Sequence, residues 1–201
     1  MARVAARNDV SPDSSIHKVH RMGIISTGLE YISSGLNQCG YWSYDWHGSS
    51  FHGKGNQVRH IDEIVVHCTA TNPKWFIDRD AHEVVKEIRR WHTEERGWSD
   101  IGYHFVIHRN GQIAAGRPIT RSGAHTRGRN KSTIGIALVG GRGGCANDAF
   151  LDNFTADQER ELRALVESLQ QEFPDIEHVT GHNNYAPKAC PCFDVKKWLR
   201  G

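Results

Sequence analysis

Two short apolar runs constrain this chain more than any other feature. Ile64-Val65-Val66-His67 and Ile134-Gly135-Ile136-Ala137-Leu138-Val139 are too short for helices of ordinary length, and Gly140-Gly141 closes the second. Such runs suit buried strands. Around them the spacing turns helical. Residues 80–95 set Val84, Val85, Ile88 and Trp91 along one face, and Gly97 is placed to stop that helix. Residues 155–173 form the clearest helix: Thr155 and Gln158 make a capping-box pattern, and Leu162, Leu165, Val166, Leu169 and Phe173 form its stripe. Tyr103 to His108 is a second strand candidate, with Asn110-Gly111 as a hairpin turn and Gln112 to Ala115 pairing back. His178 to Gly181 reads as a short strand and Asp194 to Leu199 as a short terminal helix. The order β-α-β-β-β-α-β-α predicts an α/β fold, a mixed central sheet flanked by helices.

With 201 residues, the chain is one domain or one domain with an attached segment. Lys and Arg number 25 against 23 Asp and Glu, a formal +2, which argues against specific nucleic-acid binding by a polybasic surface. Residues 1–57 and the remainder each carry +1, so a cationic membrane-disrupting tail is not supported. No apolar run approaches the roughly 18–20 residues of a membrane span, and membrane insertion is not expected. Asp9, Asp13 and three serines break the region where a secretory signal would be apolar, so no signal peptide is expected. Five cysteines, Cys39, Cys68, Cys145, Cys190 and Cys192, are odd in number and irregularly spaced, which points to a reduced compartment. Residues 1–57 are rich in Gly, Ser and aromatics, among them Tyr41, Trp42, Tyr44, Trp46 and Phe51, and weak in periodicity. They read as an N-terminal extension, either partly ordered or a wall- or partner-binding appendage. Residues 58–201 read as the functional domain.

Three side chains suit a metal. His67 ends an apolar strand, where an imidazole is unexpected unless satisfied. His182 follows Gly181, and Cys190 lies eight residues further on, in a loop with Pro187 and Pro191. Two imidazoles and a thiolate are good zinc ligands and leave a fourth position open for water. The spacing alone does not decide the matter. A strand-end histidine is more often a satisfied core residue, and a loop cysteine a small hydrophobe.

Five blocks occur in order: Val66-His67-Cys68-Thr69-Ala70-Thr71, Gly102-Tyr103-His104-Phe105, Gly123-Ala124-His125-Thr126, Ile134 to Gly140, and Gly181-His182-Asn183-Asn184-Tyr185-Ala186-Pro187-Lys188-Ala189-Cys190-Pro191. Together they resemble the zinc N-acetylmuramoyl-L-alanine amidases, the superfamily that includes the T-seven-like bacteriophage lysozyme and the peptidoglycan recognition proteins. The resemblance spans residues 61–200 and leaves the first 57 uncovered. It implies His67, His182 and Cys190 as ligands of one Zn2+ per chain. It implies Tyr103 beside the metal and Lys188 as the lysine of the phage-type branch, the two serving as catalytic donors. Outside the resemblance, Tyr103 reads as a cross-strand aromatic and Lys188 as a solvated loop cation. Recognition-only members lack the thiolate ligand, so Cys190 favours an enzyme over a non-catalytic peptidoglycan-binding module.

The activity implied is hydrolysis of the amide between N-acetylmuramic acid and L-alanine in peptidoglycan. Tyr103 and Lys188 would stabilise the oxyanion or handle protons, although neither is a comfortable base at neutral pH. His125, Thr126 and Asn130 fall in the loop that the family uses to line its substrate groove; otherwise they read as a solvated turn. Arg127 and Arg129 are candidates to meet a stem-peptide carboxylate. Cys192 is a possible competing ligand, but the family spacing selects Cys190. Cys68, next to His67 on a strand, should face the opposite way and pack in the core. His104 and His108 read as structural or surface residues. The resemblance further implies a monomeric phage endolysin held in the host cytoplasm until lysis and then acting on the wall. A role against the phage RNA polymerase rests on analogy alone.

Overall fold

The computed structural model describes residues 59–201. The expectations for residues 1–57, including the aromatic cluster and Cys39, lie outside the described residues. Five strands form one sheet: β1 (Glu63–Cys68), β2 (Phe105–Ile107), β3 (Ile113–Ala115), β4 (Thr133–Leu138) and β5 (His178–Gly181). Their order is β3-β2-β4-β1-β5. β1 pairs in parallel with both β4 and β5, β2 pairs in parallel with β4, and β2 with β3 is antiparallel. The sheet is therefore mixed, as the element order predicts. β1 and β4 sit inside it, and every residue of both is buried. That explains their unbroken apolar runs, since strands covered on both faces have no wet side to alternate with.

Helices α1 (Ala81–Arg90), α2 (Phe150–Asn153), α3 (Ala156–Glu172) and α4 (Val195–Leu199) complete the regular structure. Alternation along the strands divides the core in two. Ile64, Val66 and Cys68 of β1 and Ile134, Ile136 and Leu138 of β4 pack against Leu162, Leu165, Val166 and Leu169 of α3 and Trp198 of α4. Burying each such aliphatic chain contributes about 1.5–3 kcal/mol. On the other face Val106, Ala114 and Ala137 meet Val84, Val85 and Ile88 of α1. The β4 residues turned to this face, Thr133, Gly135 and Ala137, are small. Gly135 leaves room on this face for the ring of His125.

The ends of the elements follow local chemistry. Asp80 caps α1, its carboxylate accepting from Glu83 N. The helix then widens into a π-helical turn, Trp91–Glu95, before Gly97 at φ 68° ends it. Thr155 and Gln158 form the expected capping box on α3. Gln158, completely buried, also donates through Nε2 to Ile107 O at 3.1 Å and Val139 O at 3.0 Å, tying the helix start to β2 and the end of β4. The β2–β3 turn uses Gly111 at φ 85°, a left-handed conformation that favours glycine.

Candidate metal centre

The parallel pairing of β1 and β5 builds the centre. Val66 is in register with Gly181, so the next residues along, His67 and His182, emerge side by side at the carboxyl ends of adjacent strands. This edge is where open α/β sheets usually hold ligands. Their rings lie 4.6 Å apart between centroids. After Gly181 the chain makes a 3-10 turn, His182–Asn184, in which Asn184 Oδ1 accepts from Gly181 N at 3.0 Å. It then loops back, and buried Phe193 and Val195 anchor the return in the core. The loop sets Cys190 Sγ 3.9 Å from His67 Nδ1. The backbone N–H of Cys68 donates to that sulfur at 3.2 Å and aims it.

One donor atom each from His67, His182 and Cys190 falls within 4.8 Å of the others, so the three can hold a metal ion. A tetrahedral zinc with ordinary bond lengths sets its donors about 3.3–3.6 Å apart. The observed 3.9 Å for the His67–Cys190 pair needs only a small contraction to match. The protonation chemistry also fits. Burial, then the neighbouring His125, His182 and Lys188, lower the His67 pKa, and burial followed by Lys188 lowers that of His182. Both imidazoles are then neutral and have lone pairs to give. The hydrogen bond with Cys68, together with burial, pushes the Cys190 thiol up, so a cation is what would hold it as thiolate. Cys192 stands apart: its Sγ is 3.3 Å from Gly141 O and 3.7 Å from Cys68 Sγ, and it is buried. Cys68 packs in the core on the face opposite His67, as strand alternation requires.

Tyr103 immediately precedes β2, and its ring lies 5.2 Å from that of His67. Burial, reinforced by the nearby Cys190 and Cys68 sulfurs, raises its pKa above the ordinary phenol value. Tyr103 is therefore a hydrogen-bond donor at neutral pH and not a base. Lys188, in the same loop as Cys190, is exposed and close enough to bear on both His67 and His182.

The loop at 125–130 is placed differently from the expectation of groove-lining residues. His125 and Thr126 are 8% and 1% exposed. His125 Nδ1 lies 3.0 Å from His67 Nε2, on the far side of the ring from the Nδ1 that faces Cys190. Asn130 Oδ1 accepts from the backbone N–H groups of His125 and Thr126 at 2.9 and 2.8 Å, bracing the loop. Buried backbone donors need such a partner, which is why a side-chain amide folds inward here. His104 and His108 are both buried, with His104 Nδ1 accepting from Gly135 N at 2.9 Å and His108 Nε2 2.9 Å from Phe76 O. Of the two loop arginines, Arg127 is exposed and Arg129 is committed to the protein.

Arg129 leads to a residue that sequence reasoning missed. Glu63 is fully buried at the start of β1. Its carboxylate accepts from Arg129 Nη2 at 2.8 Å, from Thr180 Oγ1 at 2.6 Å and from the Tyr185 hydroxyl. One carboxylate thus ties together β1, β5, the loop carrying His125 and the loop carrying Cys190. An acid opening an otherwise apolar strand was the available signal.

Comparison with known proteins agrees with this geometry. The family profile described as N-acetylmuramoyl-L-alanine amidase matches residues 57–193. The endolysin of Escherichia phage T7 is 42% identical over 142 residues, covering 71% of this chain and 87% of that protein. The endolysin of Klebsiella phage KP32 is 40% identical over 136 residues, covering 68% and 83%. Among solved structures, the N-acetylmuramoyl-L-alanine amidase LysC from Clostridium intestinale superposes with a TM-score of 0.56 at 29% identity, covering 71% of this chain and 85% of that one. Drosophila PGRP-LB, at TM-score 0.58 and 21% identity over 71% and 81% of the two chains, shares the fold. On the extent of the profile match and of the phage alignments, the chain belongs to the N-acetylmuramoyl-L-alanine amidase family.

Proposed function

We propose that this protein is a zinc-dependent peptidoglycan amidase, a phage endolysin that hydrolyses the bond between N-acetylmuramic acid and L-alanine. The observation that carries the reading is the convergence of His67, His182 and Cys190 at one edge of the sheet, in a chain of this family. A neutral pair of imidazoles with one sulfur suits zinc better than the oxygen-seeking Mg2+ or Ca2+. All three donors come from one chain, so we assign one zinc to a monomer that needs no second subunit to complete its site. Residues 58–201 are assigned as the catalytic unit.

Bound zinc would polarise the scissile carbonyl and lower the pKa of an attacking water. The chain's own residues supply the rest. Tyr103, kept protonated by burial, donates a hydrogen bond to the oxyanion as the carbonyl becomes tetrahedral. Lys188 adds a positive charge from the loop that carries Cys190. Buried walls around His67 limit water on that side, which strengthens the Tyr103 hydrogen bond. The endolysin role carries the localisation with it: the protein waits in the host cytoplasm and reaches the wall at lysis. Among the described residues, no helix is long and apolar enough to cross a membrane.

Replacing either His182 or Cys190 with alanine tests the assignment. Both variants are expected to purify without stoichiometric zinc and without amidase activity. Full activity in either one would reject these ligands.

A further inference from the structure

We propose that Thr133 and His125 form a positioning relay that selects which nitrogen of His67 faces the metal. The inference rests on the zinc reading above and concerns residues that need not touch zinc or substrate. The chain of contacts has a direction. The Thr133 hydroxyl donates its only proton to Arg129 O at 3.0 Å. Toward His125 Nε2, 3.3 Å away, the same oxygen can then only accept, so Nε2 carries the imidazole proton. His125 Nδ1 is left with a lone pair, pointed at His67 Nε2 at 3.0 Å. His67 must therefore place its own proton on Nε2.

Its Nδ1 is then bare, and Nδ1 is the atom 3.9 Å from Cys190 Sγ. Thr126 is compatible with the same arrangement. Its hydroxyl is 3.1 Å from His125 Nδ1 and 3.3 Å from His67 Nε2, so it can accept from His67 while donating to His125. The opposite His67 tautomer would bring two lone pairs together at 3.0 Å in a buried site.

The backbone is shaped around this ring. A Cβ on Gly135 would fall 2.6 Å from His125 Cδ2 and Cγ, and one on Gly123 would fall 2.5 Å from Cδ2. Neither glycine has a positive φ, so close approach of the ring is the reason for both. Asn130 completes the cradle by holding the His125 and Thr126 backbone. Metal-bound histidines usually give their second N–H to a carboxylate, a carbonyl or water. Here a second imidazole, itself oriented by a threonine, takes that place.

The test compares Thr133→Val, which keeps the shape and removes the hydroxyl, with Thr133→Ser, which restores it. Nitrogen-15 NMR of the zinc-free protein reads the His67 tautomer directly, and chelator competition reads zinc affinity. Wild type and Thr133→Ser should hold the Nε2–H form and bind zinc within about threefold of each other. Thr133→Val should show mixed tautomers and bind zinc about 10- to 100-fold more weakly. His125→Ala should fall with Thr133→Val. Wild-type tautomer and affinity in Thr133→Val would overturn the relay, as would equal loss in Thr133→Ser, because that pattern means packing. A wild-type protein that binds no zinc would defeat the metal reading, while its tautomer populations would still decide the relay.

Discussion

Replacing Gly135 with alanine would strike the back of the candidate metal centre without altering any proposed ligand. The added Cβ would stand 2.6 Å from two carbons of the His125 ring and 2.9 Å from Nδ1. Ordinary contact begins near 3.4 Å, so the ring must retreat by about 0.8 Å. It has little space to do so. Gly123 already meets the ring closely, and Thr126 and Thr133 hold its nitrogens. Overpacking of this kind costs about 1–3 kcal/mol. The retreat also disturbs the 3.0 Å contact with His67, and a lost outer contact to a metal ligand weakens affinity about 10- to 100-fold. Urea unfolding of the zinc-free protein measures the first effect, and chelator competition the second. Gly128→Ala is the control. At φ 85° with nothing within 4 Å of the added carbon, it should lose stability through backbone strain and keep wild-type zinc affinity. If Gly135→Ala kept wild-type affinity and lay within about 0.5 kcal/mol of wild-type stability, the account of a tightly fitted His125 would be wrong.

Other consequences can be measured with the same preparations. Tyr103→Phe and Lys188→Ala should each retain zinc while turnover falls about 100- to 1,000-fold, the usual effect of losing one oxyanion donor; metal analysis beside initial rates would show it, and wild-type turnover would remove the residue from the mechanism. Gln158→Leu should lose about 2–4 kcal/mol in urea titrations, since three hydrogen bonds to buried backbone at about 0.5–1.5 kcal/mol each go with the amide; a loss below about 0.5 kcal/mol would refute that tie. Acid should destabilise the zinc-free fold in a defined window. Burial lowers His104 from the ordinary 6.5 to about 4, so the unfolded chain binds more protons between those values and stability falls as pH drops through them. The loss from this one group is about 2 kcal/mol between pH 7 and pH 5. His104→Gln should flatten that part of the profile, and an unchanged slope would count against it.

β1, β4 and the two long helices were legible because each carries a strong period or an unbroken apolar run. β1 and β4 needed no alternation because both of their faces are covered, and the α3 capping box has a fixed spacing. The short helix Phe150–Asn153 and the π-helical turn Trp91–Glu95 are too brief to show a period. At the site, His67, His182 and Cys190 were readable from the family blocks, while the proximity of the two histidines came from the β1–β5 register and that of Cys190 from the returning loop. His125, Thr126 and Asn130 read as groove residues because the family resemblance places them in the loop that lines its substrate groove. Their inward turn depends on space made by Gly123 and by Gly135, a residue on a strand that sequence alone does not link to this loop. Glu63 was missed for a related reason. Its three partners come from residues 129, 180 and 185, and no local pattern connects them.

Mass spectrometry of purified peptidoglycan digested by this protein tests the central claim most directly. The account predicts free stem peptides with an L-alanine amino terminus, abolished by a chelator and restored by added zinc. Stem peptides released equally well in the chelator's presence, or cleavage at a glycosidic or internal peptide bond instead, would contradict it.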